Sequence, residues 1–356
     1  MDASRYHSLR VREVINETPD ACSIWLEVPG AQRDAFAYRP GQFLTVRLPV
    51  QGEAIQRCYS LSSAPGLDGD LRITVKRVPG GLGSNWICDA LATGERLESL
   101  APAGRFVADT PEGDFLLFAG GSGITPVLSI LRAVLAEGHG RVCLVYANRD
   151  ERSVIFADLL RELQGQYPER LQVIHLLDSV QGPPRREQLM WLARPWWHAR
   201  VFICGPGPFM AAVEEAISAL GVPPERVRLE RFLSPPSRPA APEPAALASS
   251  LPEEAVTPTE PAAGEGESEV SVTLNGETLR FQCRPDETLI EAAERQGILL
   301  PNACQAGMCA TCMCRVEEGE VVLQHNDVLD ERDLARGMTL SCQAQPASPR
   351  LVLTFL

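Results

Sequence analysis

The chain has 356 residues, 45% of them hydrophobic, and a formal net charge of -13. That length exceeds one ordinary core and implies two or three domains. The acidic balance excludes unaided binding to nucleic acid or anionic lipid, and no apolar run approaches the ~20 residues that cross a bilayer. The opening MDASRYHSLRVREV lacks the charged-then-apolar pattern of a signal peptide. A cytoplasmic chain is therefore expected, with no nucleic-acid partner and no membrane insertion. In that compartment the eleven cysteines stay reduced, so clustered ones point to metal rather than to disulfides.

Up to about residue 108 the runs are short and alternating: SLRVREV, CSIWLEV, GQFLTVRL and DLRITVKRV. Turn residues such as Arg39-Pro40-Gly41 separate them. This pattern predicts an antiparallel barrel or sandwich. Arg57-Cys58-Tyr59-Ser60 opens one predicted strand, and VKRVPGGLGSNWI follows about 20 residues later. Gly80, Gly81 and Gly83 would let backbone N–H groups approach a phosphate. Ser84, ahead of a helix, would cap it and turn its positive end toward an anion. An arginine can neutralise a pyrophosphate, and a tyrosine can cover an aromatic ring. Cys58 reads as core filling. Each of these pieces alone is ordinary strand or turn sequence.

From Asp114 the texture becomes strand then helix. FLLFAGG precedes ITPVLSILRAVL, RVCLVYANR precedes SVIFADLLREL, LQVIHLL follows, and VFICGPG precedes PFMAAVEEAISAL. Alternation of this kind predicts a parallel sheet. Gly120-Gly121-Ser122-Gly123-Ile124-Thr125-Pro126 sits between strand and helix, where dinucleotide phosphates bind. At the end of the next strand, Asp150 could bond a ribose 2′-OH and Arg149 a 2′-phosphate. The sequence leaves the choice open, with NADH favoured because Asp150 would repel a phosphate. Cys204 ends a further strand and reads first as a small apolar core residue.

Residues 233–268 are rich in Pro, Ala and Glu with almost no large apolar side chains. Such a segment cannot offset its ordering entropy and predicts a disordered linker spanning about 30–36 Å. Beyond it lies a small unit of mixed elements. Cys304, Cys309 and Cys312 follow C-x4-C-x2-C, the plant-type [2Fe–2S] spacing, and Cys342 supplies the distant fourth ligand. Cys304 and Cys309 would hold one iron, Cys312 and Cys342 the other. A zinc site would want a second C-x2-C or a pair of histidines, and a Rieske centre two histidines. Cys314 remains as a spare thiol beside the cluster.

Together these motifs resemble the ferredoxin-reductase superfamily of flavoproteins. Over nearly the whole chain outside the linker, the resemblance is to reductase components of bacterial multicomponent oxygenases built in the order FAD–NAD–ferredoxin. RCYSLSSAP, VKRVPGGLGSNW, YANRDERSVIF and VFICGPGPFM are similar to the 3-ketosteroid 9α-monooxygenase reductases. YHSLRV, LERF and LSCQA are also similar to the phenylacetyl-CoA epoxidase reductases. The resemblance implies a multidomain fold: an antiparallel β-barrel FAD domain (1–108), an α/β parallel-sheet NAD(P) domain (109–232), the linker (233–268) and a β-grasp [2Fe–2S] ferredoxin domain (269–356).

It also implies roles. Arg57, Tyr59 and Ser60 hold the flavin and its phosphates, while Lys76, Gly81, Gly83 and Ser84 contact the FAD diphosphate. Gly121, Gly123 and Gly205 serve the nicotinamide dinucleotide, and Arg149 and Asp150 its ribose. Thr125 lies near nicotinamide and flavin. Cys204 shapes the hydride-transfer pocket at the nicotinamide C4 without acting as nucleophile, Glu230 lies close by, and Phe232 covers the flavin ring. The implied function is a monomeric NAD(P)H-dependent reductase, passing electrons through FAD and [2Fe–2S] to a terminal oxygenase. A P450, a di-iron hydroxylase, a free ferredoxin, or a role as mere electron carrier stand as alternatives.

The long linker departs from the shorter connection expected of these relatives and predicts a ferredoxin domain that swings between flavin and partner. Shortening residues 240–262 should slow electron delivery to the partner. Unchanged flux in that deletion would sink the idea.

Overall fold

The computed structural model describes residues 6–104, 106–232, 266–274, 276–302, 307, 312–326, 329 and 331–355. The expected linker lies outside the described residues from 233 to 265. The chain separates into two compact units, Met1–Leu233 and Ser234–Leu356. Among the described residues no helix is long and apolar enough to cross a membrane.

The first unit begins with β1 (His7–Thr18), β2 (Ala21–Glu27), β3 (Phe43–Val50), β4 (Glu53–Ser60), β5 (Leu71–Lys76) and β6 (Arg96–Ser99), with helix α1 (Leu82–Ala90) between β5 and β6. They form one antiparallel sheet in the order β4-β3-β6-β1-β2-β5. A bridge between Leu61 and Ile73 joins its two ends, so the sheet closes into a barrel. Alternation places Leu9 and Val11 inside and Arg10 and Arg12 outside along β1. Ile87 of α1 is buried in the same core as Leu44, Val46 and Leu48, so the helix plugs the barrel.

Next come β7 (Phe115–Gly120), α2 (Ile124–Glu137), β8 (Val142–Asn148), α3 (Ala157–Gln166), β9 (Leu171–Leu177), α4 (Asp178–Gln181), α5 (Arg186–Ala193), β10 (Arg200–Cys204), α6 (Gly207–Ala219) and β11 (Val227–Glu230). The five strands are parallel in the order β11-β10-β7-β8-β9. Helices cover both faces, so β7 and β8 are buried along their whole length and read as continuous apolar runs. The helix expected from SVIFADLLREL starts only at Ala157. Asp150 and Ser153 close a capping box first, and Phe156 then takes a left-handed turn at φ 62°.

The barrel and the parallel sheet meet along a polar seam. Arg132 donates to Asp68 at 3.0 Å, both largely buried, and Ser129 Oγ donates to the Ser63 carbonyl at 2.6 Å. Arg72 is buried between the rings of Trp25 and Phe156, at 5.0 and 4.8 Å. It donates to Ser62 Oγ and to the Ser62 carbonyl. A buried guanidinium without such partners would be costly.

The second unit comprises β12 (Ser268–Leu274), β13 (Glu277–Cys283), α7 (Leu289–Arg295), β14 (Met313–Glu318), β15 (Val321–Leu323), α8 (Glu331–Ala335), β16 (Met338–Leu340), β17 (Ala344–Pro346) and β18 (Arg350–Phe355). Its main sheet runs β13-β12-β18-β14-β16, with β12 and β18 parallel. Helix α7 starts on a capping box between Thr288 and Glu291 and buries Leu289, Ile290, Ala292 and Ala293. This is the expected β-grasp arrangement.

One glycine fixes how the parallel sheet carries its loops. A Cβ on Gly123 would stand 2.2 Å from the Cys204 carbonyl oxygen. Because the clash is with backbone, Gly123→Ala is expected to lower the unfolding free energy by about 2–4 kcal/mol in urea melts. Gly165→Ala in α3, where a Cβ meets nothing within 4 Å, should be neutral or stabilising.

Candidate functional site

In the parallel sheet the chain runs outward from β7 to β8 and β9, then returns to β10 on the other side of β7. The crevice at this switch point, beyond the carboxyl ends of β7 and β10, is where α/β sheets bind ligands. Gly120 ends β7, and Gly121 turns left-handed at φ 51° into α2. Gly205 after β10 packs so closely that a Cβ would lie 2.9 Å from the Gly120 nitrogen. The expected glycine turns therefore meet backbone against backbone, as a phosphate-binding loop requires. Thr125 is buried in the first turn of α2 and donates to the Ser122 carbonyl at 3.0 Å.

Sequence reasoning missed Tyr146. Its hydroxyl donates to the Gly121 carbonyl at 3.1 Å and accepts from the Ile155 N–H at 3.3 Å. It ties the glycine turn to the loop after β8. A buried tyrosine in a predicted strand signals core, and nothing in its spacing reveals that bond.

Cys204 and Glu230 are register partners at the ends of β10 and β11. Ser60, at the end of β4 in the barrel, donates from Oγ to Glu230 Oε2 at 3.2 Å across 170 residues of sequence. Three of the four residues expected to be catalytic thus converge, and Thr125 lies in the first turn of the helix whose N-cap, Gly123, packs on Cys204. Burial of the Glu230 carboxyl pushes it up to about 8, against the opposing effect of the Ser60 hydroxyl. Cys204 is fully buried, and burial, then Glu230, pushes its thiol well up. A thiol pushed up in this way stays neutral at pH 7. Phe232 is 43% exposed.

On the barrel, Arg57 and Tyr59 follow each other on β4 and approach α1. A Cβ on Gly83 would meet Arg57 Cγ at 2.8 Å and the Tyr59 hydroxyl at 3.4 Å. Burial pushes the Tyr59 hydroxyl up. Ser84 does not cap the helix as expected. Gly81 holds the cap position, and Ser84 lies inside the first turn, where its Oγ accepts from the Val78 N–H at 3.0 Å. The physical reason is the turn over Val78–Gly81, which starts the helix earlier than the serine. Cys58, read as core filling, is half-buried, 3.5 Å from Thr45 Oγ1. Lys76 ends β5 with its Nζ 3.7 Å from Asp20 Oδ2 and the same distance from a Cβ placed on Gly121.

Arg149 and Asp150 follow β8. Arg149 Nε donates to Asp150 Oδ2 at 3.1 Å, and Asp150 Oδ1 accepts from the Ser153 N–H at 2.9 Å. The Arg149 guanidinium, then Ser153, hold the Asp150 carboxyl below the usual range.

In the second unit, Cys312 and Cys342 come together from 30 residues apart, with their sulfurs 3.1 Å from each other. They are 1% and 4% exposed. Ser341 secures the pair by donating its N–H and Oγ to the Cys312 carbonyl. Two nearly dry thiols at this separation fit the thiolate pair that one iron of a cluster takes. Gly307 is left-handed at φ 74°, and a Cβ there would lie 2.6 Å from the His325 carbonyl oxygen. The loop therefore needs glycine at that point. Cys304 and Cys309 lie outside the described residues. Cys314 is buried in the same core as Cys312 and Cys342.

The folded chain holds the Glu230 proton at about 8 against an ordinary 4.5. The stability this adds is complete below about pH 4.5 and is lost as pH rises through 8. Relative to Glu230→Gln, the wild type is expected to lose about 1–3 kcal/mol of unfolding free energy between pH 6 and 9. Paired urea melts check this, and parallel curves would contradict it.

The chain matches the oxidoreductase FAD-binding domain over residues 8–107, the oxidoreductase NAD-binding domain over 117–215 and the 2Fe-2S iron-sulfur cluster binding domain over 272–347. It is 46% identical over 354 residues to the ferredoxin reductase component of the 3-ketosteroid-9-alpha-monooxygenase of Rhodococcus rhodochrous, covering 99% of this chain and 97% of that one. It is 34% identical over 366 residues to one of the subunits of the 1,2-phenylacetyl-CoA epoxidase of Escherichia coli, covering 98% of each. Among solved structures, phthalate dioxygenase reductase shares the fold, with a TM-score of 0.56 at 21% identity over 98% of both chains. The chain thus belongs to the family of FAD-, NAD- and [2Fe–2S]-binding reductase components of multicomponent oxygenases.

Proposed function

We propose that this oxidoreductase accepts reducing equivalents from NADH in the crevice where Ser60, Cys204 and Glu230 meet, with Thr125 in the first turn of the helix that opens there. It passes them singly, through a cluster held by Cys304, Cys309, Cys312 and Cys342, to a terminal oxygenase. The observation that carries this is the Ser60–Glu230 hydrogen bond beside Cys204, because it puts barrel residues and nucleotide-sheet residues into one site. Bound FAD would take electrons in pairs from the nicotinamide and release them one at a time, which a [2Fe–2S] cluster requires.

The residues divide the work. Arg57, with the backbone of Gly81, Gly83 and Ser84, holds the FAD diphosphate, and the tight Arg57–Gly83 packing supports this. Tyr59 lies beside them against the flavin, and Ser60 orients its reacting edge. Gly121, Gly123 and Gly205 offer backbone to the NADH pyrophosphate. Lys76, close to Gly121, adds charge between the two phosphate sites. Asp150 reads the adenine ribose beside Arg149. Buried Thr125 and the neutral Cys204 thiol keep water from the nicotinamide. Glu230 holds its proton next to Ser60 at neutral pH, which keeps an unpaired charge out of the crevice. Phe232, exposed at the end of the reductase half, would cover the flavin ring, and its exposure leaves it available for that.

Residues 1–108, 109–232 and 269–356 form the three working modules, and each family match falls inside one of them. The two named relatives serve oxygenases of different substrates, a 3-ketosteroid and phenylacetyl-CoA. The residues gathered here handle only the coenzymes, so the organic substrate meets the oxygenase and not this chain.

In an anaerobic titration, NADH is expected to bleach flavin and cluster absorption together. Cys342→Ser should abolish the cluster bands while flavin bleaching survives. A wild type whose flavin does not respond to NADH would refute the assignment.

A further inference from the structure

The end of β8 carries two opposed charges, Arg149 and Asp150, and the structure adds a third from the other side of the seam. Asp20 lies in the turn between β1 and β2 of the barrel. Its Oδ2 faces Lys76 Nζ at 3.7 Å and Arg149 Nη2 at 3.9 Å. Arg149 Nε is meanwhile bonded to Asp150. One guanidinium is thus held between carboxylates of two different domains.

The turn is built to present that oxygen. Thr18 Oγ1 donates to Asp20 Oδ1 at 2.8 Å and accepts from the Asp20 N–H at 3.3 Å. The Asp20 carbonyl accepts from the Arg77 N–H at 2.8 Å. With Oδ1 and the backbone engaged, Oδ2 faces the two cations.

We propose that Asp20 is a coenzyme-selecting residue that acts through Arg149 across the domain seam, turning the site against a 2′-phosphate. The inference rests on placing the adenine ribose of NADH beside Arg149 and Asp150. A phosphate monoester carries close to two negative charges at neutral pH and seeks the planar fork of an arginine. To bind here it would have to break the contacts of Arg149 with both carboxylates and then lie against them. A ribose 2′-OH needs only an acceptor, and Asp150 supplies one. Asp20 touches neither ribose nor pyrophosphate in this arrangement. It is a positioning residue, and the usual comparison of the two residues after β8 overlooks it. As an exposed pair the Asp20–Arg149 contact adds little to stability, so its effect should appear in coenzyme choice.

Asp20→Asn tests this, because asparagine keeps the Oδ1 acceptor that shapes the turn. In the FAD-loaded full chain, kcat/KM for NADPH and NADH is measured with ferricyanide as acceptor. Binding of 2′,5′-ADP and of 5′-AMP is measured by calorimetry. The NADPH:NADH ratio is expected to rise about five- to tenfold. Affinity for 2′,5′-ADP should rise by a similar factor, with 5′-AMP changing less than about twofold. The gain should vanish in Asp20→Asn/Arg149→Ala. An unmoved ratio in a wild type that prefers NADH, or a gain that survives loss of Arg149, overturns the role of Asp20 alone. A wild type that prefers NADPH overturns the ribose assignment and the inference with it.

Discussion

The approach of Gly123 to the Cys204 carbonyl governs the reductase half. With no side chain in the way, the first turn of α2 rests on the end of β10, closing the switch point from both sides. Cys204 is then fixed, its register partner Glu230 follows, and Ser60 of the barrel bonds to Glu230. A coenzyme and a flavin can react only if held in near-attack geometry. Two loops packed backbone on backbone and one hydrogen bond across a seam fix these residues in place. The buried Arg132–Asp68 pair and the Arg72 guanidinium between two rings keep the seam in register.

Charge is distributed unevenly along this seam. Its far part is ionic, with Arg132, Asp68 and Arg72 buried among partners. The part beside Cys204 is neutral at pH 7, because burial raises both the thiol and the carboxyl. Such a pocket holds no unpaired ion that its surroundings would have to compensate.

The features legible in the sequence were those written in local spacing. Strand–glycine–helix texture located the switch-point loop, and period-2 alternation the barrel. The features that escaped depend on contacts between distant segments or on helix boundaries. Ser84 looked like a cap, but the preceding turn moved the helix start to Gly81. The SVIF stretch looked helical, but the Asp150–Ser153 box and left-handed Phe156 delayed the helix. Tyr146 and Asp20 gave no signal, because a hydrogen bond to a glycine carbonyl or an ion pair across a seam leaves no periodic trace.

The pairing of β12 with β18 has a consequence for how the protein is made. Among the described residues, the first strand of the second unit, β12, takes the last, β18, as its parallel neighbour, and β14 also waits for β18. Domains of a nascent chain fold in order as they leave the ribosome. The barrel and nucleotide sheet can therefore close while translation continues, whereas the ferredoxin sheet is incomplete until residue 355 has been added.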